Sequence, residues 1–171
     1  QRGFQLYQSL GEPWRQAELL VWAGEYAMRL GDSALAMQYQ QDALQLARQL
    51  NEPNILLHSL RQITYLYFVL NRFETANQLI QETKAVLESV EELPVRATAE
   101  MHLGGTLVWN GRLSEAIQQF EKTLPLLRNL GYRYGVAFGS MALGVAFLMN
   151  GEYGRVETFL PAIILETEQW G

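Results

Sequence analysis

The chain has 171 residues, 49% of them apolar, no cysteine, and a formal net charge of -5 from thirteen Lys and Arg against eighteen Asp and Glu. That apolar fraction supports a sizeable core and argues against disorder, and an acidic balance with no basic stripe disfavours electrostatic binding to nucleic acid. Lack of cysteine excludes disulfides and thiolate metal sites. With no apolar run of about eighteen residues and no charged start leading into a signal core, the chain reads as cytoplasmic, with no membrane contact.

From the start of the chain, residues 1 to 10 lead into Leu10-Gly11-Glu12-Pro13, and Leu50-Asn51-Glu52-Pro53 repeats that pattern forty residues later. Glu91-Glu92-Leu93-Pro94 follows in near register. A second pattern recurs at the same spacing: Leu30-Gly31-Asp32-Ser33-Ala34-Leu35-Ala36, Leu70-Asn71-Arg72-Phe73-Glu74-Thr75-Ala76, Trp109-Asn110-Gly111-Arg112-Leu113-Ser114-Glu115-Ala116 and Asn150-Gly151-Glu152-Tyr153-Gly154-Arg155-Val156. A fixed period of this length signals a solenoid, in which each repeat buries its faces against its neighbours. The expected boundaries are a partial repeat at 1–12 and full repeats at 13–52, 53–92, 93–132 and 133–171, as in a fragment of a larger protein.

Each repeat reads as two helices. The first helices are expected from Pro13 to Leu30, Asn54 to Leu70, Pro94 to Asn110 and Arg133 to Asn150. Proline suits a first helical turn, and Gly31, Gly111 and Gly151 suit the left-handed residue just past a helix end, a task Asn71 can share. The second helices are expected from Ser33 to Leu50, Phe73 to Val90, Leu113 to Leu130 and Tyr153 to Gln169. Connections of two or three residues make the two helices of a repeat antiparallel neighbours. Pro125 and Pro161 fall inside second helices, where each removes a backbone hydrogen bond, so bends are expected there. Gly135 to Met149 is apolar but too short to span a bilayer.

Small residues recur at Gly24, Thr64, Gly104 and Gly144 in the first helices and at Ala36, Ala76, Ala116 and Val156 in the second. They are expected to let paired helices approach closely, while Ala27, Tyr67, Leu107 and Phe147, with Ser33, Phe73, Leu113 and Tyr153, fill the gaps between.

A small residue, a glycine seven on, an aromatic or Leu two later and an Ala three further resembles the tetratricopeptide repeat (TPR). Gly104, Gly111, Leu113, Ala116 and Phe120 carry the likeness best, followed by Gly144, Gly151 and Tyr153. Thr64 and Asn71 depart from it, and no repeat has the family's Trp early in the first helix. The family's common period is 34 residues, so a forty-residue period adds about 9 Å of helix per repeat. HEAT-type repeats stand second, since they lack the glycine and alanine pairing. The resemblance implies an all-α α-solenoid of antiparallel helix pairs, a right-handed superhelix of about four repeats plus a leading partial helix. Longer repeats of this kind resemble the arrays of bacterial signal-transduction ATPases and transcription regulators.

Reactive side chains are sparse. His58 and His102 lie in different repeats without carboxylates at ligand spacing, which argues against a metal site. Gly104-Gly105 has neither the preceding strand nor the following Gly-Lys-Ser/Thr of a phosphate loop, and no Gly-x-Ser-x-Gly elbow is present. Neither a catalytic residue nor a cofactor is therefore expected.

The resemblance also implies that the first helices line a concave groove. Repeat alignment places there Glu18, Val21, Glu25, Met28 and Arg29; His58, Arg61, Tyr65, Phe68 and Val69; Thr98, Met101, Gly105, Val108 and Trp109; and Phe138, Met141, Val145, Leu148 and Met149. Of these, Arg29, His58, Arg61, Tyr65, Phe68, Met101, Trp109, Phe138, Met141 and Met149 are the candidate partner-binding residues. Trp109 and Phe138 would anchor an apolar segment, with Arg29, His58, Arg61 and Tyr65 holding a polar end; the other reading packs the Met-rich half against neighbouring helices. Some family members clamp a peptide carboxylate with Lys and Asn, but the matching positions here are Val21, Arg61, Met101 and Met141, then Glu25, Tyr65, Gly105 and Val145, which does not support that clamp.

The expected function is a non-catalytic interaction or scaffold module that binds a protein or peptide, or other domains of its own parent chain, within a larger regulatory protein. A small-molecule sensor and oligomerisation array is the alternative, suggested by Arg61, Tyr65 and Trp109 on one face. Phe159, Leu160, Ile163, Ile164 and Leu165 on the last helix imply end-to-end self-association.

Overall fold

The computed structural model describes residues 11–50 and 52–170. Residues 1–10, where most of the leading partial helix was expected, lie outside them, as does Gly171. The described residues form eight α-helices and no strand: α1 Pro13–Arg29, α2 Ser33–Leu50, α3 Pro53–Val69, α4 Phe73–Glu88, α5 Leu93–Trp109, α6 Leu113–Asn129, α7 Arg133–Met149 and α8 Tyr153–Glu168. They pair as the two-helix repeats of an α-solenoid, and the chain divides after Ser89 into two compact units, the first holding α1 to α4 and the second α5 to α8.

The helix ends follow from the turn residues. Gly31, Gly111 and Gly151 have φ of 81°, 70° and 77°, and Asn71 takes the same left-handed conformation at 58°. At each, two backbone N–H groups turn back to carbonyls of the last helical turn, as Gly31 N to Met28 O at 3.0 Å and Asp32 N to Ala27 O at 3.0 Å. Arg72 N to Tyr67 O at 2.8 Å, Arg112 N to Leu107 O at 2.9 Å and Glu152 N to Phe147 O at 2.9 Å repeat that closure. Carbonyls that would otherwise be orphaned at the helix end are thereby satisfied, and the chain is turned directly into the second helix. Helices α6 and α8 continue without interruption through Pro125 and Pro161.

Within a repeat, the small first-helix residue accommodates a large side chain from the second helix, a more specific arrangement than two small residues meeting. A Cβ at Gly24 would fall 2.4 Å from Gln40 Nε2, one at Gly104 2.8 Å from the Phe120 ring, and one at Gly144 3.1 Å from Leu160 Cδ2. The three partners share one repeat position, Phe120 lying eighty residues after Gln40 and Leu160 forty after Phe120. Ala36 packs with Ala27 of its own repeat and Leu66 of the next.

In the first unit, Leu44, Leu60, Ile63 and Leu79 join α2, α3 and α4 in one core. Arg48 then bridges the outer edge of α2 to Glu82 on α4 with two hydrogen bonds of 2.9 and 2.6 Å. In the second unit, Arg128 on α6 does the same to Glu166 on α8 at 2.7 and 2.9 Å. A buried carboxylate also ties α5 to α6: Glu100 accepts from Arg96 and Lys122, each at 3.1 Å, and from Thr123 Oγ1 at 3.3 Å.

Candidate functional site: the first-helix surfaces

In the first compact unit, α1 and α3 lie side by side and are joined by a polar cluster around Glu25. Its carboxylate accepts from Arg29 at 2.7 Å and from Gln62 Nε2 at 2.9 Å, so Arg29, although exposed, is held by its own helix. Next to it the imidazole of His58 stands edge-on to the Trp22 indole, ring centroids 5.7 Å apart. Burial, and then the positive charge of Arg61, push His58 down to about 4 against a smaller opposing pull from Glu25. The imidazole is therefore neutral near pH 7 and packs here as an aromatic surface. Tyr65 is exposed beside it, and Arg61 is half-buried. Phe68 turns toward its own second helix, its ring 5.7 Å from that of Phe73.

Two residues of this surface escape the sequence reading. Trp22 and Tyr26 are both well exposed on α1, four residues apart and therefore on one helical face.

In the second compact unit the ring pair recurs eighty residues on: His102 lies 5.9 Å from Phe138, which also stacks on Tyr134 at 6.4 Å. The Phe138 ring covers Gly105, where a Cβ would stand 3.8 Å from it, so this half-buried side chain closes the junction between α5 and α7. Trp109, Met141 and Met149 are exposed. Met101 corrects the expectation: it is fully buried. Its Cγ faces the bare surface of Gly139 on α7, and with no exposed area it offers nothing to a partner. The glycine lets α7 come close enough to seal Met101 in.

These surfaces present aromatic edges, flexible thioethers and a few fixed polar groups, a composition suited to binding. Among the described residues, no three His, Cys, Asp or Glu side chains gather as a metal site would require, and no helix is long and apolar enough to cross a membrane. On the opposite side of the second unit an open crevice of about 480 Å³ runs between α6 and α8, lined by Leu124, Pro125, Leu143, Phe147 and Phe159, with Arg155 on its rim. The Arg155 guanidinium lies 4.0 Å from the centroid of the Phe147 ring and pairs with Glu121 and Glu152.

No family model matches the chain, and no curated protein does. Among solved structures, it is similar to the nearly identical TPR-like repeats of a Podosopora anserina protein attributed to a kinesin light chain. That likeness has 16% identity and a TM-score of 0.66, covering 98% of this chain and 94% of the other. At that identity the likeness speaks for the fold alone: the chain is a TPR-like α-solenoid.

Proposed function

We propose that the chain is a non-catalytic scaffold that binds a peptide or helix along its first-helix surfaces, as part of a larger regulatory protein. The observation that carries this reading is the aromatic surface of α1 and α3. There Trp22, Tyr26 and Tyr65 stay exposed around a neutral His58 and a hydrogen-bonded Glu25, Arg29 and Gln62 cluster. Large aromatic side chains left in water beside fixed polar groups are the usual anchors of a recognition surface. Trp109, Met141 and Met149 give the second unit an adaptable apolar counterpart.

The test is to select peptides from a random library on the intact chain and measure their affinity for Tyr65→Ser, Trp109→Ser and, as a control on an exposed position of the second helix α8, Glu157→Gln. Loss of at least tenfold in one of the first two with the control unchanged supports the surface. Equal affinity for all three variants rejects it.

A small-molecule sensor is favoured by one observation, the open crevice between α6 and α8, whose apolar floor is edged by Glu121, Arg128, Arg155 and Thr158. Thermal-shift screening of metabolites on the intact chain tests it, and no stabilisation across a broad set counts against it.

A further inference from the structure

Each compact unit has an arginine bridge between its two second helices, and the two bridges differ. In the first unit Arg48 on α2 reaches Glu82 on α4 with bonds of 2.9 and 2.6 Å. Its counterpart Arg128, eighty residues later, meets Ala162 at the position of Glu82. It reaches Glu166 instead, one helical turn further along α8. Pro125 likewise stands where the first unit has Gln45. Two polar side chains of the first unit's junction are thus exchanged for a methyl group and a pyrrolidine ring, and the crevice of about 480 Å³ lies there. It belongs to the junction of two repeats whose four helices are all described.

The crevice is bounded by charge at both ends. At one, Arg155 on α8 crosses to Glu121 on α6 and also bonds Glu152 at 2.7 Å, its guanidinium 4.0 Å from the Phe147 ring centroid. At the other, Arg128 holds Glu166. Three carboxylates pair with two guanidiniums here, an excess of one negative charge around an apolar floor of Leu124, Leu143 and Phe159. Such a site attracts a cation with an apolar body and repels an anion. Glu121 is the carboxylate able to receive it, because Arg155 is shared and keeps Glu152 when Glu121 turns to a ligand. Both members of the Glu121 and Arg155 pair are exposed, so exchanging that partner costs little.

We propose that the crevice between α6 and α8 binds a small organic amine, its ammonium on Glu121 and its apolar body over Leu124, Leu143 and Phe159. The inference rests on the small-molecule reading of this crevice and adds the chemical class of the ligand. Because Arg155 then lets go of α6, the bound amine replaces that bridge with its own contacts to both helices.

Octylammonium, octanol and octanoate share one apolar body and differ in head group. Each is titrated into the intact chain at neutral pH, below its aggregation concentration, while NMR follows the methyl resonances of Leu124 and Leu143. Octylammonium is expected to shift both saturably and to bind about tenfold more tightly than octanol, the effect of one charge-assisted hydrogen bond, with octanoate weakest. Glu121→Gln should erase the advantage of the amine over octanol, and Ala162→Leu, which fills the crevice, should weaken both. The two substituted positions are exposed, and circular dichroism melts verify that the variants fold. Octanol or octanoate binding as tightly as octylammonium, or an amine advantage that survives Glu121→Gln, overturns the proposal while the crevice stands as a small-molecule site. Amine binding untouched by Ala162→Leu lies elsewhere and overturns it too. If none of the three probes moves the Leu124 and Leu143 resonances, the small-molecule reading falls along with it.

Discussion

Phe120 lies against the bare backbone of Gly104, so close that a Cβ there would stand 2.8 Å from its Cε1 and Cζ. The ring is rigid and fully buried, so it cannot swing aside. Gly104→Ala gains helix propensity of about 1 kcal/mol but forces overpacking that costs about 1–3 kcal/mol. The expected outcome is a net loss of about 1 kcal/mol in urea unfolding. Adding Phe120→Leu should recover most of it by vacating the space. Gly154→Ala is the internal control: nothing lies within 4 Å of that position, so it should stabilise the chain by about 0.5–1 kcal/mol.

Asn71 alone among the described non-glycine residues has a positive φ, 58°, at the turn where the other repeats use Gly31, Gly111 and Gly151. Its backbone still closes the helix end, with Asn71 N to Phe68 O at 2.9 Å. Asn tolerates this conformation better than other side-chain-bearing residues, and Ala does so poorly. Asn71→Ala should cost about 1 kcal/mol and Asn71→Gly should gain about 0.5 kcal/mol. The midpoint of thermal unfolding should order the three as Gly, Asn, Ala from most to least stable.

What could be read from the residues divides along a physical line. Helix pairing and helix ends were legible because they depend on local features: a two-residue connection, a proline in the first turn, a residue able to turn left-handed at Gly31, Asn71, Gly111 and Gly151. Exposure on the first helices was not, because it depends on which helix lies alongside. Met101 and Met141 occupy one repeat position, yet the first is buried beneath Gly139 of α7 while the second, on α7 itself, is exposed. Trp22 and Tyr26 were passed over for the same reason, since the aligned Gln62 and Leu66 are buried. Glu100 did carry a signal: it stands where the other repeats have Leu20, Leu60 and Ser140, all buried. A carboxylate at a core position implies partners, and Arg96, Lys122 and Thr123 supply them.

Glu100 leads to a prediction about those partners. Its carboxylate is buried but accepts three hydrogen bonds, two from cations whose own side chains are 43% and 63% exposed. Removing the charge leaves Arg96 and Lys122 free to rehydrate, while removing the side chain also takes away the acceptor of the Thr123 hydroxyl, which keeps only its bond from Gln119, and opens a cavity beside it. Glu100→Gln should cost about 1 kcal/mol and Glu100→Ala about 2–3 kcal/mol. Lys122→Met, which gives up only a largely solvated partner, should cost less than about 1 kcal/mol. If Lys122→Met proved as damaging as Glu100→Ala in urea unfolding, the ammonium rather than the buried carboxylate would be the structural member of the pair.

His58 makes stability depend on pH in a window set by its displacement from 6.5 to about 4. The imidazole is half-buried between α1 and α3 against the edge of Trp22, facing Arg61 on its own helix and Glu25 on α1. Burial is the main cause, Arg61 adds repulsion, and Glu25 opposes both. Because the folded state refuses a proton that the unfolded chain accepts, the contribution of a neutral His58 is complete above pH 6.5 and is lost as pH falls toward 4. The loss proceeds at about 1.4 kcal/mol per pH unit and reaches about 3 kcal/mol at the limit. Urea unfolding at pH 7, 6 and 5 should show this decline in the wild-type chain, and His58→Gln should flatten it. Glu166, held below its ordinary range by hydrogen bonds from Arg128, contributes only at more acid pH, as its carboxylate is protonated. The two groups are thus separable, since Glu166→Gln should leave the slope between pH 7 and 5 in place while His58→Gln removes it. An equal slope in wild type and His58→Gln would show that the Trp22 and His58 contact opens readily enough to let the imidazole titrate as it does in water.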